Sequence, residues 1–216
     1  NSISYNILKT DQSIYTPKYV SQHTVDNNYS MSFDGGDYFD IGTSLGNTLG
    51  DSLTDMTISM WVNITSGSSN DGIFKIGNIA TNVGEFSIRA VNDARIQVYF
   101  ASSNVSHSYD LLAAGNWNHI VIVKQGTTAL GYINGSLATP VSGGGSSIPS
   151  TLNFNGKPAF IGLYWNTDSN FTFNGSMDEI AIFNKALTVD QIKFDIYEAS
   201  TTANKSADFI NNPNLP

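Results

Sequence analysis

The sequence predicts an all-β domain, either a sandwich or a barrel, with one short helix near its C-terminal end. Segments of alternating apolar and polar residues recur about every 8 to 15 residues, and turn residues such as Asn and Gly separate them. Charged residues make up only 13% of the 216 residues, about half the usual share for a soluble domain. Helix-forming Glu and Lys are therefore scarce, whereas Asn, Ser, Thr and Gly suit turns and solvent-facing strand positions.

The clearest predicted strand is 56–64. Its even-numbered residues are apolar and share one face, while Thr57, Ser59, Trp61 and Asn63 share the other face. We expect Trp61 to contact a second layer or an edge of the sheet. The same criteria predict further strands at 29–33, 38–41, 72–76, 85–91, 95–100, 108–112, 117–123, 129–133, 159–163 and 177–183.

A helix is predicted over 188–198. Thr188 and Gln191 have the spacing of a capping box, and Val189, Ile192 and Ile196 follow at helical spacing. The Gly- and Ser-rich segment 142–150 is interpreted as a surface loop within one domain. We therefore predict an N-terminal extension at 1–28, a single domain at 29–198 and a polar C-terminal tail at 199–216. Both tails are interpreted as linkers within a larger protein.

Charge and composition argue against several classes of partner and of functional site. The net charge of −8 disfavours nucleic acid and anionic membrane surfaces, which both require a cationic face. The longest uninterrupted apolar run is 120–123, far short of the roughly 18 residues of a membrane span. The chain has no cysteine, which excludes disulfides, thiol catalysis and Cys-based zinc sites.

Four segments carry motifs that belong together. They are Phe33-Asp34-Gly35-Gly36-Asp37-Tyr38, Ile58-Ser59-Met60-Trp61-Val62, the pair Trp117-Asn118-His119-Ile120 and Tyr132-Ile133-Asn134-Gly135, and Phe173-Asn174-Gly175-Ser176-Met177-Asp178-Glu179-Ile180. In this order and spacing they resemble the laminin G-like, concanavalin A-like jelly-roll superfamily over residues 29–198. The resemblance implies a two-sheet antiparallel jelly-roll β-sandwich with one short C-terminal helix.

The resemblance does not imply catalysis. The superfamily includes glucanases that carry Glu-x-Asp-x-x-Glu on one strand, and this chain contains no such triplet. Glycoside hydrolysis requires two carboxylates across the scissile bond, so we predict that the protein is not an enzyme. His119 lies in the Trp-x-His strand, where the resemblance implies a structural residue of the core.

The resemblance also implies a structural calcium ion between Asp34 and Asp178. Calcium binds six to eight oxygen ligands, and two carboxylates completed by backbone carbonyls would be a suitable start. The alternative is that Asp34 caps its glycine turn and that Asp178 accepts hydrogen bonds from backbone amides.

A loop at 164–168 carries the candidate ligand-binding residues. Sugars stack on aromatic rings while amides and carboxylates bind their hydroxyls, and Tyr164, Trp165, Asn166 and Asp168 offer this combination. Asn70, Asp71 and Asn104 are weaker candidates on a neighbouring rim. The alternative is that Trp165 folds back onto the sandwich.

These features predict a non-catalytic recognition or adhesion module whose partner is a carbohydrate. The low charge and absence of cysteine suit a larger extracellular, cell-surface or virion surface protein. The competing class is a structural or protein–protein interaction module, such as a capsid or fibre decoration or a spacer, because a fold alone does not determine function.

Overall fold

The computed structural model describes residues 30–66, 70–78, 80, 85–100, 106–143, 148–165 and 169–198. This part of the chain forms two six-stranded antiparallel sheets around a shared core. Sheet A has the strand order β1 (Met31–Asp34), β12 (Asn174–Phe183), β3 (Asp55–Ile64), β8 (Trp117–Gln125), β9 (Thr128–Ile133) and β10 (Ser136–Ala138). Sheet B has the order β2 (Phe39–Gly42), β11 (Ala159–Ile161), β4 (Asp71–Ile76), β5 (Phe86–Asn92), β6 (Arg95–Phe100) and β7 (Ser106–Asp110).

The predicted jelly-roll β-sandwich is therefore confirmed. The observed strands agree with the predicted ones to within three residues at each end. The predicted extension 1–28 and tail 199–216 lie outside the described residues.

Side-chain alternation along the strands builds the core between the sheets. On β3, Ile58, Met60 and Val62 face the opposite sheet and are at most 1% exposed. On sheet B, the rings of Phe86 and Phe100 pack with centroids 5.5 Å apart. Complete burial of one such side chain contributes roughly 1.5–3 kcal/mol, so this layer is the main source of stability.

A short helix and a short strand were not predicted. They are α1 (Ser44–Leu49), which has no side-chain cap hydrogen bond, and the three-residue strand β10 at the edge of sheet A. Neither is long enough to show a periodic pattern in the sequence. A short 3₁₀ turn at Ser169–Phe171 was likewise not predicted.

The C-terminal helix, Gln191–Glu198, covers the outer face of sheet A. The predicted capping box is confirmed, because the Thr188 amide donates to Gln191 Oε1 at 3.0 Å and the Gln191 amide donates to Thr188 Oγ1 at 3.3 Å. Ile192 is buried against Val121 and Val123 of β8. Neither helix in the described ranges has the length and apolarity that crossing a membrane requires.

Candidate functional site

The outer face of sheet B carries polar side chains on four neighbouring strands. Alternation that turns Phe86 and Ile88 towards the core leaves Ser87 and Arg89 on the opposite face. The strand register aligns such residues in two rows across the sheet. We call these two rows the polar strip: Lys75, Ser87, Tyr99 and Ser106 in one row, and Gly72, Arg89, Gln97 and Ser108 in the other.

Arg89 is the centre of a hydrogen-bond network on the polar strip. Its Nη2 donates to Gln97 Oε1 at 2.7 Å and to Tyr99 Oη at 2.8 Å, and its Nε donates to Gln97 Oε1 at 3.2 Å. Its Nη1 donates to Asn70 Oδ1. The Tyr99 hydroxyl in turn donates to Gln97 Oε1 at 2.8 Å. All four side chains are half-buried, so the network is preformed and still reaches the surface.

Two tyrosine rings flank the Arg89 guanidinium. Its carbon lies 5.0 Å from the centroid of the Tyr164 ring and 5.2 Å from that of Tyr99. The two ring centroids are 6.2 Å apart. Cation–π contacts of this kind contribute about 0.5–2 kcal/mol each, and they restrict the orientation of the arginine in addition to its hydrogen bonds.

The chain after β11 lies across the polar strip and brings Tyr164 there. The Tyr164 amide donates to the Phe171 carbonyl at 3.0 Å, and Lys75 Nζ donates to the Tyr164 carbonyl at 2.7 Å. Lys75 is fully buried, and this burial lowers the pKa of its ammonium group to about 8. Close by on the same row, the buried Ser87 hydroxyl has no hydrogen-bond partner among the described residues.

The close approach of this segment to β4 depends on Gly72. A β-carbon at Gly72 would lie 2.0 Å from the Tyr164 nitrogen and 2.1 Å from the Leu163 carbonyl carbon. Backbone atoms of the overlying segment therefore occupy the space that any other side chain would need.

We expect Gly72→Ala to lower the free energy of unfolding by about 1–3 kcal/mol, because Tyr164 must move away from β4. Urea denaturation measures this change, and near-UV circular dichroism reports the tyrosine environment. Gly36→Ala is the matched control, because its β-carbon would meet only Asp34 Oδ1 at 3.3 Å. Equal destabilisation by the two variants would contradict the close approach.

The predicted loop residues occupy different environments. Tyr164 is 2% exposed and supports Arg89 from beneath the surface, whereas Trp165 is 38% exposed and packs one side against Phe171 at a centroid distance of 5.0 Å. Asn104, Asn166 and Asp168 lie outside the described residues. Asp71 is buried at the start of β4, next to Gly72 and the Tyr164 segment, instead of on an open rim. The structure thus brings Tyr164 to the outer face of sheet B with Trp165 next to it in the chain, whereas Asp71 stands opposite the core-facing Ala90 in the strand register.

The structure does not bring Asp34 and Asp178 together. Asp34 is paired with Asn174 on β12, four positions along the strand from Asp178, which corresponds to about 13 Å. Asp34 Oδ1 accepts a hydrogen bond from the Gly36 amide at 2.9 Å, and Asp178 Oδ1 accepts one from the Glu179 amide at 2.8 Å. The described ranges contain no group of three or more His, Cys, Asp or Glu placed to hold a metal. Structural calcium stays a prediction, and an ion at either carboxylate would need other ligands.

Sequence reasoning missed the residues at the centre of the polar strip. Arg89, Gln97 and Tyr99 each sit at the outward position of a predicted strand. The alternation within 85–91 and 95–100 already marks them as neighbours on one face once β5 and β6 are paired as a hairpin.

A second cluster lies under the C-terminal helix on sheet A. His119 is 1% exposed, its Nε2 lies 2.9 Å from Ser59 Oγ, and its ring centroid is 5.1 Å from that of Trp61 and 5.5 Å from that of Tyr197. Burial lowers the pKa of the imidazole to about 4. Trp61 and Tyr197 stack with centroids 5.8 Å apart. These ring contacts pack the helix against the sheet. This packing agrees with the structural role expected for His119.

Comparison with known sequences gives one family. A laminin G model described as the concanavalin A-like lectin/glucanases superfamily matches residues 33–193. This confirms the resemblance that the four sequence motifs carry. A search among curated proteins found no match.

Several solved structures share the fold. The CBM40 of the Ruminococcus gnavus IT-sialidase, bound to α2,3 sialyllactose, is 13% identical with a TM-score of 0.58 over 76% of this chain and 93% of its own. Domain 4 of AbnA, an extracellular GH43 arabinanase from Geobacillus stearothermophilus in complex with arabinotriose, is 22% identical with a TM-score of 0.54 over 76% of this chain and 74% of its own. A NanB sialidase from Streptococcus pneumoniae is 24% identical with a TM-score of 0.56 over 80% of this chain and 27% of its own.

Proposed function

Because the chain belongs to the concanavalin A-like lectin/glucanase superfamily, we propose that it is a carbohydrate-binding module and that the sugar lies on the polar strip of sheet B. The observation that carries the proposal is the Arg89–Gln97–Tyr99–Asn70 network, which is preformed, half-exposed and next to aromatic rings. Sugar recognition requires hydrogen-bonding groups with fixed directions and apolar faces for the C–H surface of the ring. The polar strip supplies both kinds of group.

The two outer faces of the sandwich differ in a way that supports this placement. The C-terminal helix occupies much of the outer face of sheet A, whereas the side chains of Arg89, Gln97, Tyr99 and Ser106 on sheet B stay half-exposed. Two structures of the same fold are bound to sialyllactose and to arabinotriose. They support the chemical class of the ligand and leave its identity to experiment.

The module is proposed to bind without catalysis and to belong to a larger protein at a cell or virion surface. The direct test of the first point is incubation with a bound oligosaccharide, followed by chromatography for shortened products. We expect the oligosaccharide to be recovered intact. Conversion that scales with the amount of protein would contradict the proposal.

A glycan array is the first test of binding, and Trp165→Ala is the informative variant. We expect the variant to lose at least tenfold in sugar affinity with an unchanged melting temperature, because Trp165 is 38% exposed and directly follows Tyr164, which contacts Arg89, and a stacking ring contributes mainly to contact area. Trp117→Ala is the matched control, since Trp117 is equally exposed but lies on sheet A. Unchanged binding by Trp165→Ala would exclude this loop as part of the site.

The same array in EDTA tests the part played by calcium. The polar strip offers N–H and O–H donors and neutral acceptors, which bind sugar hydroxyls directly. We therefore expect the array signal to persist in EDTA. Loss of signal would place a metal in or beneath the site, and a lower melting temperature in EDTA with binding intact would support a structural calcium elsewhere.

A protein-interaction role has one specific observation in its favour. Leu130 and Leu137 lie on the outer face at the β9–β10 edge of sheet A and are 38% and 63% exposed. A blank array with a folded sample, together with self-association that Leu137→Asp abolishes, would favour this alternative.

A further inference from the structure

The two arginines of the chain have different partners. Arg95 Nε donates to Asp110 Oδ1 at 2.7 Å, and these two side chains are 40% and 55% exposed. Arg89 is half-buried and meets no carboxylate within 4.0 Å among the described residues, although the chain has 18 acidic against 10 basic residues. From this contrast, and resting on the proposed sugar-binding function, we infer that the polar strip binds an acidic sugar through its carboxylate and that Arg89 selects for it.

The positive charge of Arg89 has no opposite charge in contact with it among the described residues. A cation removed from part of its hydration is costly unless an opposite charge compensates it. The acceptors of Arg89 are the neutral oxygens of Gln97, Tyr99 and Asn70. These oxygens and the tyrosine rings fix the orientation of the guanidinium but carry no negative charge. A carboxylate on the ligand supplies the negative charge that the described residues do not place beside Arg89.

One N–H group of the Arg89 guanidinium is left to bind a ligand. A guanidinium has five N–H donors, and four are used: one on Nε, two on Nη2 and one on Nη1. The remaining N–H is on Nη1, beside Asn70, whose amide NH2 has no acceptor among the described residues. The free Nη1–H and the Asn70 amide are therefore two adjacent donors. Two such donors suit the two oxygens of one carboxylate, and the bond to the guanidinium is charge-assisted.

The charges of the protein limit how many negative charges the ligand carries at the contact. Arg89 is the half-exposed cation of the polar strip, and Lys75, the other cation there, is fully buried beneath Tyr164. The net charge of the chain is −8, so a polymer with many negative groups is repelled by the rest of the surface. The arrangement fits a sugar with a single carboxylate at the contact, in an otherwise neutral glycan.

The main comparison is between each acidic sugar and its methyl ester, which lacks the negative charge. Isothermal titration uses sialyllactose and a glucuronic acid-terminated oligosaccharide against their methyl esters and against lactose, with wild type, Arg89→Gln and Arg95→Gln. We expect at least one acid to bind wild type tenfold or more tighter than its methyl ester, with the ratio shrinking as salt rises. We expect Arg89→Gln to bring the ratio close to one and Arg95→Gln to keep it.

Each outcome separates this inference from the proposed function. Equal affinity for acids and esters, or a preference that survives in Arg89→Gln, overturns the role of Arg89 while sugar binding stands. Binding of no sugar on the array or in solution contradicts both. If Arg89→Gln does not fold, the comparison of acid with ester on wild type still decides whether the ligand is acidic. The variant Arg89→Lys keeps the positive charge but loses the planar array of N–H donors, so it decides whether the guanidinium is required.

Discussion

Lowering the pH from about 6.5 to about 4 is expected to reduce the free energy of unfolding by roughly 3 kcal/mol through His119 alone. The imidazole is buried against Trp61 and Tyr197, and its pKa is lowered to about 4 by that burial. In the unfolded chain the pKa returns to about 6.5. Between these two values the unfolded state binds a proton that the folded state does not, so stability falls as the pH falls.

Urea denaturation at several pH values measures this contribution. Carboxylates also titrate in this range, and burial raises the pKa of Asp195, which acts in the opposite direction. The comparison is therefore between wild type and His119→Gln, which retains a group able to bond Ser59 and does not titrate. We expect the two pH profiles to diverge below pH 6.5. Parallel profiles would show that His119 does not couple the fold to pH.

Replacing Lys124 by Met is expected to lower the free energy of unfolding by about 3 kcal/mol. Lys124 is fully buried, and its ammonium donates to the carbonyls of Thr54, Gly126 and Ser150 at 2.7, 2.8 and 2.9 Å. These carbonyls belong to three separate segments: the chain before β3, the β8–β9 turn and the chain before Leu152. Met keeps the aliphatic volume but leaves three acceptors without a donor.

Chemical denaturation of Lys124→Met and Lys157→Met tests this assignment. The Lys157 side chain is 42% exposed, and its Nζ lies 3.8 Å from Glu85 Oε1. Exposed pairs of this kind contribute little, so we expect the control to change stability by less than about 0.5 kcal/mol. Comparable losses in the two variants would mean that the three carbonyls find other donors when Lys124 is removed.

The sequence predicts those parts of the fold that local patterns determine. The alternation in β3, the capping box of Thr188 and Gln191 and the order of the four motifs are properties of neighbouring residues, and each agrees with the structure. The helix α1 and the strand β10 were missed because they are too short to show a periodic pattern of apolar and polar residues.

The candidate site was harder to predict because it depends on which strands are neighbours. Trp165 was predicted from the composition of its loop, but Arg89, Gln97 and Tyr99 become a group only when β5 and β6 pair. Tyr164 was expected on the surface, and a glycine on another strand, Gly72, allows its burial. The register of β1 with β12 places Asp34 opposite Asn174, and the order of the motifs in the sequence does not reveal how far Asp34 then lies from Asp178.

The position of β12 in sheet A has a consequence for how the protein folds during synthesis. β12 lies between β1 and β3, so Met31, near the start of the domain, pairs with Met177, near its end. A ribosome delivers the N-terminal strands first, and β1 then has no neighbour in sheet A while β3 keeps one open edge. Pairings this distant in sequence form slowly. Chains that terminate before Asn174 are therefore left with two exposed strand edges, which makes premature termination a route to aggregation.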